Sequence, residues 1–69
     1  MSYSRQKVLK ALQGKGCRFL REGSRHTIFT SGEGNRVEVP RHLEIPRGTA
    51  RNIARQARIE WHDFEKAIS

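Results

Sequence analysis

The sequence contains little of what would mark a disulfide-stabilised, secreted or membrane-inserted protein. It has one cysteine, Cys17, so no disulfide can form within the chain. Its apolar residues never run for more than two positions, which excludes a membrane-spanning helix and the hydrophobic region of a signal peptide. We therefore expect a soluble, cytoplasmic protein in which Cys17 is a buried structural thiol.

The chain is also short and poor in aromatic residues. Only five of its 69 residues are Trp, Tyr or Phe. A chain of this length buries about 60% of the surface that it exposes when unfolded, which supports a thin two-layer core but no enclosed cofactor cleft. We expect a single domain over residues 1–69 whose functional site is shallow and open.

Acidic residues are outnumbered two to one by basic ones. Fourteen Lys and Arg against seven Asp and Glu give a net charge of +7, and the sequence pI is about 10.8. Most of the cations are arginines, whose guanidinium groups bind phosphate bidentately and stack on bases. This balance indicates an anionic partner, and nucleic acid is the first candidate.

Hydrophobic periodicity predicts one helix followed by three antiparallel strands. Ser4 is placed to cap a helix that ends at Gly14. The period then changes to two, which predicts three strands, at residues 17–21, 26–30 and 36–39. Pro40 ends the last of them, because proline cannot donate to the ladder.

The rest of the chain predicts two more helical segments. Thr49 is placed to cap a helix whose apolar face is formed by Ala50, Ile53, Ala54 and Ala57. A short last helix carries Trp61, Phe64 and Ile68 on one face. Together these elements predict an α+β fold in which helices cover one face of a three-stranded antiparallel sheet.

One of the predicted strands contains an irregularity. Ile28 and Phe29 are adjacent, so in a regular strand they point to opposite faces of the sheet. Either one of the two side chains is exposed or a bulge intervenes.

Arginines form a stripe on the second predicted helix. Arg51, Arg55 and Arg58 follow at i, i+4 and i+7 without an interleaved acid. Such a stripe is typical either of an ordinary solvated helix face or of phosphate contact, and both interpretations stay open. Further arginines surround the predicted strands, at positions 18, 21, 25, 36, 41 and 47. Cations spread in this way predict salt-sensitive RNA or DNA binding with little sequence preference.

Three histidines are the candidates for proton transfer near neutral pH. His26 follows a glycine turn and opens a strand, His42 follows the third strand, and His62 lies on the last helix. Each of them could equally be an ordinary surface histidine. Cys17 and these histidines lack the close spacing of a zinc site, and the sequence contains neither a Ser/His/Asp order nor a Walker loop.

Several short motifs occur together in one order. They are Gly23-Ser24-Arg25-His26, Thr27-Ile28-Phe29, Val37-Glu38-Val39-Pro40-Arg41-His42, Glu44-Ile45, Gly48-Thr49-Ala50-Arg51 and Arg55-Gln56-Ala57. In this series the chain resembles the HicA family of small toxins, from the first helix to about Phe64. The resemblance implies a double-stranded-RNA-binding-like αβββα fold that cleaves messenger RNA without a metal or other cofactor, in a bacterial or archaeal cytoplasm. It also implies a HicB antitoxin that covers the active site in a hetero-oligomer.

The resemblance also assigns roles to single residues. It makes His26 the catalytic residue, with Gly23 and Ser24 forming the turn that presents it. Family members often have a second histidine directly before the catalytic one, and this chain has Arg25 there. The expected RNA-binding residues are Arg25, Arg41, His42, Arg51, Arg55 and Arg58.

The chemistry of RNA cleavage suits this set of residues. RNA carries its own nucleophile, the 2′-hydroxyl, so a ribonuclease needs only to align it, move protons and neutralise phosphoryl charge. We hypothesise that His26 acts as general base or acid, that Arg25 and Arg41 bind the phosphate, and that His42 is the candidate second proton carrier. The expected products are a 2′,3′-cyclic phosphate and a 5′-hydroxyl end.

Other functions remain open from sequence. A non-catalytic RNA-binding module would have the same basic surface and would bind A-form RNA by shape and phosphate contacts. A domain that chiefly binds an acidic protein is a third interpretation. DNA binding is less favoured, because the sequence shows no helix-turn-helix pair and few Asn or Gln residues placed to read bases.

Overall fold

The computed structural model describes all residues from 1 to 69 and contains three helices and five strands. In chain order these are β1 (Ser2–Ser4), α1 (Arg5–Gly14), β2 (Arg18–Glu22), β3 (His26–Thr30), β4 (Arg36–Pro40), β5 (Glu44–Pro46), α2 (Arg47–Ala57) and α3 (Trp61–Ile68). The α+β class, the predicted αβββα order and the predicted short last helix are confirmed, and the structure adds β1 and β5. None of the helices is both long and apolar enough to cross a membrane.

The central sheet is an antiparallel meander in the order β2-β3-β4. Phe29 of β3 lies opposite Val37 of β4, and Thr27 lies opposite Val39. Both valines are fully buried, so the alternation predicted for β4 is confirmed. The three helices pack against this sheet, with α2 covering β4.

A bulge in β2 resolves the irregularity at Ile28 and Phe29. The register between β2 and β3 shifts between Phe19 and Arg21, and both Ile28 and Phe29 are buried. Phe29 joins the main core, whereas Ile28 lies outside it and against Gly23. The bulged strand adds local twist, which lets a second apolar side chain be covered on the face away from the helices.

The main core is a single cluster between the sheet and the helices. Its helical members are Val8, Ala11 and Leu12 from α1, Ala50, Ile53, Ala54 and Ala57 from α2, and Phe64 and Ile68 from α3. The apolar face predicted for α2 is therefore confirmed, and in α3 Phe64 and Ile68 are buried while Trp61 is partly buried against the core. Cys17 is also buried, as predicted, and burial raises the pKa of its thiol.

Two short strands were not predicted. β1 pairs antiparallel with β5, with Tyr3 opposite Ile45, and both of these side chains are buried. Each strand has three residues, which is too short for a period of two to be visible in the sequence. The pair joins the beginning of α1 to the beginning of α2, because each strand leads directly into a helix.

The first helix begins as predicted, and the second does not. Ser4 caps α1 with its hydroxyl oxygen, which accepts from the Lys7 backbone N–H at 3.5 Å. The prediction that Thr49 caps the second helix is wrong, because α2 begins at Arg47 and Pro46 stands at its N-cap. The rigid φ of Pro46 suits a helix start, and β5 runs straight into the helix. Thr49 is consequently one residue of the helical surface.

Candidate active site

A tight turn between β2 and β3 presents His26. The Gly23 backbone N–H donates to the His26 carbonyl oxygen at 2.8 Å, which closes the turn. A Cβ atom at Gly23 would lie 3.0 Å from that same oxygen, so the turn leaves little room for any other residue. His26 is half-buried at the first position of β3, where the pairing with Pro40 of β4 holds its backbone.

Arg41 holds this turn from the neighbouring strand end. Its Nη1 donates to the Ser24 carbonyl oxygen at 3.2 Å, and its Nη2 donates to the carbonyl oxygens of Gly23 and, at 3.4 Å, of His26. The same guanidinium donates to Glu22 Oε1 at 2.7 Å from Nη2 and at 3.1 Å from Nε. The sequence predicts that Arg41 binds phosphate. In the structure its guanidinium donates hydrogen bonds to the main chain of the turn and to Glu22.

A hydrogen-bond network connects Glu22 to the first helix. Buried Thr27 donates from its hydroxyl to Glu22 Oε1 at 2.9 Å and accepts from Arg5 Nη2 at 2.6 Å. Arg5 also donates from Nε to the Pro40 carbonyl oxygen at 2.9 Å. The hydrogen bonds from Arg41, and then from Thr27, lower the pKa of Glu22 below its usual value. Glu22 is therefore held as a carboxylate that fixes Arg41.

His26 lies on the border of two open cavities. The first, between β4 and α2, has a volume of about 390 Å³, and we call it the β4–α2 cavity. It is lined by His26, Glu38, Pro40, His42, Pro46, Thr49, Asn52, Ile53 and Gln56. The second, of about 250 Å³, we call the hairpin cavity. It is lined by Arg21, Gly23, Ser24, Arg25, His26, Ile28, Arg36 and Glu38.

The two cavities differ in charge. The hairpin cavity has three arginines, at positions 21, 25 and 36, and one carboxylate, Glu38. Arg36 pairs with that carboxylate at 3.3 Å, and Arg25 makes no ion pair. The β4–α2 cavity has no Lys or Arg in its lining; apart from Glu38, which pairs with Arg36, it offers neutral hydrogen-bonding groups. An anion is thus favoured on the hairpin side of His26 and an uncharged polar group on the other.

The predicted stripe on α2 lies away from His26. Arg51 lies over the ring of Trp61, with 5.4 Å from Cζ to the ring centroid, and neither Arg51 nor Arg55 lines a cavity with His26. Arg58 follows the last residue of α2 in a left-handed conformation with φ of 61°, so it leaves the helical surface. Arg58 lines a third cavity of about 380 Å³ that shares no residue with the other two. The expected RNA-binding set is therefore divided between two regions.

Several lining residues of the β4–α2 cavity were missed in the sequence. Thr49, Asn52 and Gln56 follow at i, i+3 and i+7, so they share one face of α2. The spacing was visible, but only the structure shows that this face borders His26. Gln56 Oε1 also accepts from the Glu38 backbone N–H at 2.8 Å, which ties α2 to the outer edge of β4.

This arrangement is suited to proton transfer beside a bound phosphate. His26 is reachable from solvent on two sides, and imidazole is the side chain best matched to proton transfer near neutral pH. Arg25, one of two arginines of the hairpin cavity that make no ion pair, is next to it in the chain. His42 lines the β4–α2 cavity together with His26, while His62 lies on α3 outside both. No three His, Cys, Asp or Glu side chains are grouped as metal ligands would be.

A known protein family matches the part of the chain that contains the turn, His26 and both cavities. No curated protein matches the chain. Residues 5–59 match the family model described as HicA toxin of bacterial toxin–antitoxin, which is about four fifths of the chain. The matched range begins with α1 and includes β2, β3, β4 and α2. The turn, His26 and every residue that lines the two cavities thus lie within the match.

Proposed function

Because this chain belongs to the HicA toxin family of bacterial toxin–antitoxin systems, we propose that it is an endoribonuclease that cleaves messenger RNA with His26 as its catalytic residue. The observation that carries the proposal is the position of His26 on the border of an arginine-lined cavity. A scissile phosphate in that cavity would lie within reach of the imidazole. The reaction requires no metal ion, since RNA supplies its own nucleophile.

In the proposed reaction, His26 begins as neutral imidazole and takes the proton of the ribose 2′-hydroxyl. The 2′-oxygen attacks the adjacent phosphorus, and the bond from phosphorus to the 5′-oxygen breaks. The departing 5′-oxygen takes up a proton, for which His42 is the candidate donor. The products are a 2′,3′-cyclic phosphate and a 5′-hydroxyl end. Positioned proton transfer of this kind contributes about 10²- to 10⁴-fold to the rate.

The arginines divide into binding and positioning residues. Arg25 is free to bind the phosphate, and its guanidinium can contact two phosphoryl oxygens at once. Arg41 positions His26 by holding the carbonyl oxygens of the turn. Arg51, Arg55 and Arg58 line neither cavity of His26, and in this proposal they hold the rest of the RNA backbone.

The second partner that we propose is a HicB antitoxin. Two exposed apolar side chains, Phe19 and Leu20, stand on the edge strand β2 with more than half of their surface accessible. Apolar side chains at a free sheet edge, next to the hairpin that carries His26, are a surface that a protein partner can cover. An antitoxin bound there would block RNA from the site. A messenger-RNA substrate places this activity in the cytoplasm.

The proposal is tested by comparing two histidine variants. Wild type, His26→Ala and His62→Ala are incubated with end-labelled single-stranded RNA in EDTA, and RNA binding is measured in parallel. We expect the His26 variant to bind RNA normally and to cleave it about 10²- to 10⁴-fold more slowly. His62 is the matched control because it is an exposed imidazole outside both cavities, and its variant should cleave as wild type does.

Two outcomes would reject this assignment. If all three proteins cleave equally, the activity lies elsewhere or comes from a contaminant. If all three bind RNA and none cleaves it, on free RNA or on translating ribosomes, the chain is a non-catalytic RNA-binding module. The basic surface favours that module as the second candidate.

A further inference from the structure

The β4–α2 cavity lies on the side of His26 that carries no Lys or Arg, and apart from His26 and His42 its lining takes no part in the proton transfer described above. We propose that it is a nucleobase pocket for single-stranded RNA that selects uracil or guanine, which carry a carbonyl oxygen at O4 or O6 where cytosine and adenine carry an amino group. This proposal rests on the proposed function only in taking RNA as the ligand. The recognition itself is argued from the lining of the cavity.

The size and chemistry of the cavity suit a base better than a phosphate. Its volume of about 390 Å³ lies within the range of small-molecule sites, and it contains no Lys or Arg to neutralise an anion. Two imidazoles, of His26 and His42, line it, and histidine is one of the side chains on which unstacked bases stack. The neighbouring hairpin cavity supplies the arginines that a phosphate requires.

His26 lies between the two cavities, so the base and the phosphate of one nucleotide could occupy one cavity each. The imidazole lines both, so a phosphate in the hairpin cavity and a base in the β4–α2 cavity would lie on either side of it. The ribose that joins them carries the attacking 2′-hydroxyl. The base in the pocket is therefore that of the nucleotide on the 5′ side of the cleaved bond.

Gln56 gives the pocket a fixed hydrogen-bonding polarity. Its Oε1 accepts from the Glu38 backbone N–H at 2.8 Å, which settles the orientation of the amide, because the oxygen must face that donor. The Nε2 group, with two N–H donors, is left for a ligand. A donor meets the O4 of uracil or the O6 of guanine favourably and meets the amino groups of cytosine or adenine unfavourably.

Asn52 and Thr49 complete the polar wall. They lie on the same face of α2 as Gln56, and each offers both a donor and an acceptor. They can pair with the remaining groups of either keto base, so Gln56 is the residue that discriminates. The edge of a base is accessible in this way only when the base is unstacked, which favours single-stranded RNA over a duplex.

Replacing Gln56 with Glu tests the polarity of the pocket directly. In Gln56→Glu one carboxylate oxygen still accepts from the Glu38 N–H, while the two donors facing the ligand become an acceptor. We expect wild type to cleave after uracil or guanine about 2- to 10-fold faster than after cytosine or adenine, as one net hydrogen bond allows. We expect the variant to lose or reverse that ratio.

Gln13→Glu is the matched control. Gln13 is an exposed amide on α1 outside both cavities, so its variant gains the same charge and should keep the wild-type ratio. The ratio between bases is the measured quantity because added negative charge lowers the cleavage of all four substrates together. If wild type shows no keto preference, or if Gln56→Glu leaves the ratio unchanged, the proposal is wrong.

A binding measurement separates this proposal from the proposed function. The side-chain amide signals of Gln56 and Asn52 are followed by NMR while each of the four nucleoside 3′-monophosphates is added to the intact protein. A shift of the Gln56 signal with the uridine and guanosine nucleotides supports the base pocket even if RNA is never cleaved. Cleavage of RNA without any response of these signals would overturn the pocket and leave the ribonuclease intact.

Discussion

The guanidinium of Arg41 donates hydrogen bonds to the main chain of the turn that presents His26. It donates to the carbonyl oxygens of Ser24 and His26 and to the carboxylate of Glu22. Sequence reasoning assigned it to phosphate because an arginine near a candidate catalytic residue suggests that role. The hydrogen bonds depend on how the end of β4 meets the turn, and that contact has no signal in the sequence.

Glu22 gives this network a predictable pH dependence. Because its pKa is lowered in the folded protein, the carboxylate stabilises the fold at pH values above its usual pKa of about 4.5. The stabilisation is lost as the pH falls through the lowered pKa. We therefore expect wild type to be more stable than Glu22→Gln at neutral pH and the difference to shrink below about pH 4.5.

The measurement is the denaturant midpoint of both proteins between pH 3 and 7. The gap between them should close on the acid side only. A gap of constant size across this range would show that Glu22 is not held as a carboxylate by Arg41 and Thr27. Solvent screens the exposed pair, so the effect is expected to be modest.

Helix α2 presents a different chemistry on each of its faces. One face is buried in the core, a second carries Thr49, Asn52 and Gln56 beside His26, and a third carries Arg51 and Arg55. The apolar face was predicted from the period of 3.6. The sequence does not predict what the two polar faces border, because that depends on which edge of the sheet the helix covers.

Arg25 lines the hairpin cavity and Arg55 does not, so we expect their loss to have different effects. Arg25→Gln and Arg55→Gln remove the same charge from exposed positions, one in the hairpin cavity and one outside it. We expect Arg25→Gln to lower kcat by about tenfold or more, since a group that stabilises developing charge acts in the transition state. Arg55→Gln should weaken RNA binding and reduce its salt dependence with kcat unchanged. Equal effects of the two variants on kcat would contradict the site.

The elements of the fold differ in how clearly the sequence predicts them. α1, strand β4 and most core residues of the helices follow from clear periodicity and from the cap at Ser4, whereas in β3 the adjacent Ile28 and Phe29 break the period of two. β1 and β5 are too short to carry a pattern, and the start of α2 was misplaced because Thr49 is a better cap than Pro46 on local preference alone. The pairing of β1 with β5, which are distant in the chain, forms both strands and fixes where α2 begins.

At the scale of the whole molecule, small size and high positive charge determine what kind of site is available. The dimensions of 27 × 23 × 17 Å leave no interior cleft, so the two cavities are open depressions at the edge of the sheet. The net charge of +7 attracts a polyanion without selecting its sequence. We propose that selection comes from the β4–α2 cavity, which has no Lys or Arg, and that the reaction comes from the histidine between the two cavities.

We propose that the chain cleaves RNA through the substrate's own 2′-hydroxyl, with His26 moving the proton. The most direct test maps a cleaved bond in a single-stranded RNA in EDTA and then replaces the one adjacent 2′-hydroxyl with a 2′-O-methyl group. We predict that wild type leaves a 2′,3′-cyclic phosphate and a 5′-hydroxyl at that bond in the first RNA and does not cut it in the second. Continued cutting of the methylated bond, or products with 5′-phosphate ends, would contradict the account, since both indicate attack by water.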